Sequence, residues 1–185
     1  MNRKVALMTG AALLAAMAGT AGPGWAQTAP HVHGVVALQV AIDGPRVVLT
    51  LKAPLDSLVG FERAPRTEAQ RRLAAQALAS LREPDQLFRL DAPAACRRVS
   101  VQVEAPVLEA RPGDAAAAAA GRDGHADLDA EIVYECERPE ALKVLEVGLA
   151  DRFTRTRRVE VQVVGPRGQT KTTLRGAARQ VRLDR

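Results

Sequence analysis

A β-rich α+β domain, with antiparallel sheet of about seven strands and one main amphipathic helix, follows from three features of the chain. Valine- and leucine-rich segments alternate apolar with polar residues, the period of a strand that buries one face. Only one stretch of the region after residue 26, beginning past Pro65, spaces its apolar residues as a helix does. The connections are rich in Gly, Pro and Asp, which turn a chain. Aromatic residues make up 3% of the sequence, so the core is built from Val, Leu, Ile and Ala.

The first segment has the pattern of a signal peptide. Arg3 and Lys4 form a positive start, residues 5–20 are apolar and almost uncharged, and Gly24 and Ala26 are the small residues of a cleavage site. Residues 1–26 are therefore expected to be removed, and residues 27–185 to form a single periplasmic domain. The apolar run is shorter than the roughly 20 residues of a spanning helix, and no later stretch qualifies, so no stable membrane insertion is expected after cleavage. The formal charge of +5 becomes +3 without Arg3 and Lys4. A balance so small and scattered argues against nucleic acid as a partner.

Val36, Leu38, Val40 and Ile42 share one strand face, and Val47, Leu49 and Leu51 repeat the pattern after Asp43-Gly44-Pro45. The two segments read as a hairpin. Residues 54–62 form a connector with apolar anchors at Leu55, Leu58 and Phe61. The helix follows, with Thr67 as N-cap and Gln70 completing a capping box. Its stripe comprises Leu73, Ala77 and Leu81 with Ala74 and Leu78, and Pro84 ends it.

Strand character returns at Val99, Val101 and Val103. Residues 105–124 are an Ala-rich, low-complexity loop or short helix, because a bare alanine run has no amphipathic face to dock. The next strand sets Ala126, Leu128, Ala130, Ile132, Tyr134 and Cys136 on one face, and His125, Asp127, Asp129 and Glu131 on the other. Further strands are expected at residues 142–149, 159–164, 170–174 and 180–183.

Cys96 and Cys136 are the only cysteines. In an exported chain an even pair points to a disulfide, with thiolate zinc ligation as the alternative. The histidines carry the remaining chemistry. His31 and His33, two apart at the start of the first strand, point to one side about 7 Å apart and are able to converge on an ion. Neutral imidazole suits zinc and other divalent transition metals such as copper and nickel. His125 with Asp127 and Asp129 offers the nitrogen and oxygen donors zinc accepts. A solvated polar face explains the same residues; if the first strand pairs with this one, His31, His33, His125 and Asp127 meet in one site. No nucleophile elbow, phosphate loop, dinucleotide fingerprint or His-Glu-x-x-His helix occurs, so the chain is not expected to be an enzyme.

Taken in order, His31-Val32-His33-Gly34, Leu58-Val59-Gly60-Phe61-Glu62, the Thr-capped helix, Ala95-Cys96, His125-Ala126-Asp127 and Tyr134-Glu135-Cys136 resemble the ZrgA-like family of periplasmic zinc-uptake proteins. The resemblance spans essentially the whole region after residue 26. It implies a zinc-binding accessory of uptake or homeostasis, acting beside a zinc importer or its periplasmic binding protein. It also implies His31, His33, His125 and Asp127 as ligands and Cys96 with Cys136 as the family's cysteine pair. The chain departs from the family in lacking a His- and Asp-rich stretch between the cysteines, and in carrying Arg63 where histidine is common. Those losses argue against a high-capacity zinc store. Gly60-Phe61-Glu62 reads as structural, and the alternative function is an envelope protein-interaction module with little or no metal binding.

Overall fold

The computed structural model describes residues 32–110 and 126–183. The expected signal peptide, His31, His125 and most of the Ala-rich loop lie outside the described residues. Nine strands are present among them: β1 (Val35–Asp43), β2 (Arg46–Pro54), β3 (Phe88–Leu90), β4 (Cys96–Glu104), β5 (Asp127–Cys136), β6 (Val144–Val147), β7 (Arg158–Gly165), β8 (Gly168–Arg175) and β9 (Gln180–Arg182). Helices are α1 (Leu55–Val59), α2 (Glu68–Arg82), α3 (Pro106–Glu109) and α4 (Leu149–Arg152), with single 3₁₀ turns between some elements. Only α2, of 15 residues, is long.

Six strands form one sheet in the order β4-β5-β2-β1-β7-β8, and β3-β6-β9 form a second. Local pairings come out as the alternation predicts. Asp43 pairs with Arg46 across the Gly44-Pro45 turn, and Leu38, Val40 and Ile42 face Leu51, Leu49 and Val47. The exception to antiparallel order is β1 with β7, which run parallel with Val36 opposite Val159. This parallel contact places the starts of β1 and β7 at the same end of the sheet.

One face of the large sheet is the core side. Val36, Leu38, Leu49, Leu51, Leu128, Ile132 and Val161 are buried there against α2 and the smaller sheet, which contributes Phe88, Leu145, Val147 and Val181. Each fully buried aliphatic side chain of this kind contributes about 1.5–3 kcal/mol relative to exposure. The opposite face carries Gln39, Lys52, Glu131, Gln162 and Lys171, all exposed.

Three local details differ from the periodicity. The register shifts between Arg98 and Ser100, so Val99 turns outward while Val101 and Val103 stay packed against the core. In α2, Ala74, Ala77, Leu78 and Leu81 are buried, but Leu73 at the stripe's edge is 41% exposed. The strand expected at residues 142–149 is only β6, because the chain turns at Gly148 into α4. The Thr67 N-cap of α2 forms as read, with the Gln70 amide donating to Thr67 Oγ1 at 3.2 Å, but the Gln70 side chain accepts from the Arg66 amide, one residue before the N-cap, rather than closing the capping box on Thr67. Cys96 and Cys136 pair directly across β4 and β5 and form the disulfide.

Candidate metal site

The end of the large sheet where β1 and β7 begin is built from three backbone segments held by hydrogen bonds. Gly34, at φ +80°, ends the entry turn before β1. Its carbonyl accepts from the amides of Arg157 and Arg158 at 2.8 and 3.0 Å, and its amide donates to Ser57 Oγ at 2.9 Å. Thr156 Oγ1 then donates to the Ser57 carbonyl at 2.9 Å. Ser57 and Thr156 are the buried polar side chains among the described residues, and each is satisfied by these bonds. A buried hydroxyl without a partner would be costly, so this network fixes α1 against the start of β1.

That fixation presents His33 to two carboxylates. Its Nδ1 lies 3.8 Å from Asp56 Oδ2 and its Nε2 lies 3.4 Å from Glu62 Oε1. The imidazole is 56% exposed, whereas the Asp56 and Glu62 side chains are 17% and 12% exposed. Asp56 stands in the first turn of α1, and Glu62 follows the left-handed Gly60 that ends that helix. The two acids therefore flank the ring from opposite nitrogens. A metal needs its donors aimed at one point, and among the described residues no three His, Cys, Asp or Glu side chains are set to hold one.

Arg155 completes the corner. Its Nε donates to the Asp56 carbonyl at 2.9 Å and its Nη2 to Asp56 Oδ1, also at 2.9 Å. The same side chain lies over Gly60, where a Cβ would stand 3.1 Å from Arg155 Cδ and Nε. Gly60 thus has two reasons to lack a side chain: its φ of +86° and this close approach.

The residues singled out in the sequence fall into three groups. His31 and His125 lie outside the described residues. Asp127 and Asp129 sit on β5, which does not pair with β1, since β2 runs between them. Asp127 is half-buried opposite Pro54, and Asp129 is opposite Lys52, whose Nζ lies 3.4 Å from its carboxylate. The condition under which the histidines would share a site through β1–β5 pairing is therefore not met. A different link exists: the amide of Leu55, first residue of α1, donates to the carbonyl of Ala126 at 2.8 Å. Ala126 adjoins His125 in the chain. Cys96 and Cys136 lie at the opposite end of the sheet, where β5 ends beside the start of β2.

Asp56, Glu62 and Arg155 are the site residues the sequence reading missed. Glu62 belongs to a motif read as structural, and Asp56 to a connector read as apolar. Nothing local marks either, since both approach His33 only because the β1–β2 hairpin folds back.

A family model described as the ZrgA family zinc uptake protein matches residues 30–183. No curated protein matches the chain.

Proposed function

The chain belongs to the ZrgA family of zinc uptake proteins, and from that membership we propose that it is a periplasmic zinc-binding accessory of uptake or homeostasis. It coordinates the ion reversibly and performs no chemistry on it, so it is not an enzyme. The observation that carries the reading is His33 lying between Asp56 and Glu62 at the sheet end where Ala126 is hydrogen-bonded to Leu55.

One imidazole and two carboxylates are a nitrogen–oxygen set that suits zinc and other divalent transition metals. As they stand, Asp56 and Glu62 flank opposite nitrogens of His33, so binding requires the exposed imidazole to turn about its side-chain bonds. His31, two residues before His33, and His125, next to Ala126 in the sequence, are the other candidate donors. Asp127 is a further carboxylate on the strand that begins there. Asp129 is engaged with Lys52 on the open face and stands last among the candidates. Because the imidazole must be neutral to bind, zinc affinity falls as acid protonates it. A modest number of ligands at an exposed site suits handing the ion to a zinc importer or its periplasmic binding protein. It does not suit storage.

The test is native mass spectrometry of the purified protein titrated with zinc at neutral pH. A discrete one-zinc adduct is expected. His31→Ala with His33→Ala is expected to weaken it by well over tenfold, as loss of direct ligands exceeds the roughly 10–100-fold cost of losing their outer partners. A folded, oxidised protein without an adduct at micromolar zinc would instead favour an envelope interaction module.

A further inference from the structure

We propose that a cleft at the end of the large sheet away from His33 is a binding site for a single-chain aliphatic carboxylate, such as a fatty acid. The cleft has a volume of about 460 Å³, within the range of pockets that hold small ligands. It opens where β1 and β7 finish, between the large sheet and the segment that leads into β6. Its lining is aliphatic: Ile42 and Val163 come from the large sheet, and Leu142 and Leu183 from the segments facing it, with Pro139 and Pro166 beside them. Lys143, Arg167 and Glu140 supply the charge, which sums to one positive. Lys143 and Arg167 are exposed, and neither side chain takes part in an ion pair among the described residues.

The lining decides the class of ligand. It contains no aromatic ring, so a nucleobase or other flat ring has nothing to stack on. Its side chains offer no hydroxyl or amide, so a sugar would give up hydrogen bonds to water that the cleft does not replace. A hydrocarbon chain has no such bonds to lose, and each methylene it buries tightens binding about fourfold. Lys143 and Arg167 then favour an anionic head. Because both are exposed, the head adds about fivefold at most, and it chiefly decides which amphiphile is accepted. The wall opposite the large sheet is built without the ligand. The Asp91 carboxylate accepts from the amides of Lys143 and Val144, both at 2.6 Å, and the Leu183 amide donates to the Lys143 carbonyl at 2.7 Å. A ligand entering a preformed cleft is spared the cost of ordering it.

Isothermal titration of the purified protein with octanoate, decanoate and dodecanoate, each kept below its micelle concentration, tests the site. One saturable site is expected, tightening by up to about fifteenfold for every two methylenes until the cleft is full. Dodecanoate is expected to bind about fivefold more tightly than dodecyltrimethylammonium, and Lys143→Glu with Arg167→Glu to reverse that order. Gly165→Leu is expected to abolish binding. A Cβ at Gly165 meets Ile42 Cβ at 3.6 Å, an ordinary contact, and the backbone there is not left-handed, so the added side chain fills the cleft without straining the chain. No saturable binding at submillimolar dodecanoate would overturn the proposal, and so would unchanged binding in Gly165→Leu. Equal or tighter binding of the quaternary ammonium by the parent would overturn the carboxylate assignment. Should Gly165→Leu fail to fold, the exposed charge-reversal pair still decides. The cleft lies at the other end of the sheet from His33, so failure here leaves the metal reading standing, and failure of the metal reading leaves the cleft.

Discussion

The two ends of the six-stranded sheet are held together by different chemistry. At the end where β1 finishes and β5 finishes, a disulfide joins β4 to β5, and Tyr134 is buried nearby, its phenol pushed up to about 12 by burial first and the Asp85 charge second. At the other end, no covalent bond constrains the described residues. There a serine, a threonine, two left-handed glycines and an arginine hold a histidine between two acids. Covalent bracing at one end leaves the other free to use polar groups, whose arrangement suits ligand binding more than stability. Disturbing the first end should cost stability and spare zinc, and disturbing the second should weaken zinc binding at a smaller cost in stability.

The largest expected effect tests the braced end. Replacing Cys96 and Cys136 with serine opens a loop whose ends are 40 residues apart. On the chain-entropy model this costs about 4 kcal/mol of stability, measured by denaturant unfolding under oxidising conditions. Zinc affinity at a temperature where the variant remains folded should stay unchanged. A tenfold or larger loss of affinity would mean that the ends are coupled through β5, and the division of labour would fail.

Ser57→Ala tests the other end at about 2 kcal/mol, because the Gly34 amide is then left without its acceptor in a buried site. The residue next to Gly34 is His33, so zinc affinity should fall several-fold as the imidazole loses its fixed origin. A stability loss with unchanged affinity would show that the ligand side chain does not depend on the turn beneath it.

Legibility from sequence followed the range of the interactions. The β1–β2 hairpin and the cap of α2 were readable, because alternation, Asp43-Gly44-Pro45 and Thr67 with Gln70 act within a few residues. The Cys96–Cys136 pairing was readable from count and compartment. The three-residue β3 was too short to show any period, and Val99 left the alternation at a bulge that no local signal announced. The parallel union of β1 with β7 was invisible, since it joins segments that meet only after the intervening chain has folded. The candidate site shares that difficulty. His33 stood out by residue type, but Asp56, Glu62 and Arg155 acquired meaning only when the hairpin and the β7 approach brought them beside it. Asp127 and Asp129 looked like its partners because they follow a histidine in sequence, yet β2 separates their strand from β1.

The smallest expected effect asks how far the histidine end extends. Glu62 is joined to α2 by the short run ending at Thr67, where Thr67 Oγ1 accepts from the Gln70 amide and Gln70 Oε1 accepts from the Arg66 amide at 2.9 Å. Thr67→Ala removes the first of these bonds and should cost about 1 kcal/mol in thermal or denaturant unfolding. Glu62 is placed chiefly by the left-handed Gly60 on its other side, so zinc affinity should change by less than about threefold, under 1 kcal/mol. A change beyond tenfold would show that α2 positions Glu62 from behind. The candidate corner would then comprise the start of the longest helix as well as α1, and the boundary between bracing and binding would have to move to the middle of the domain.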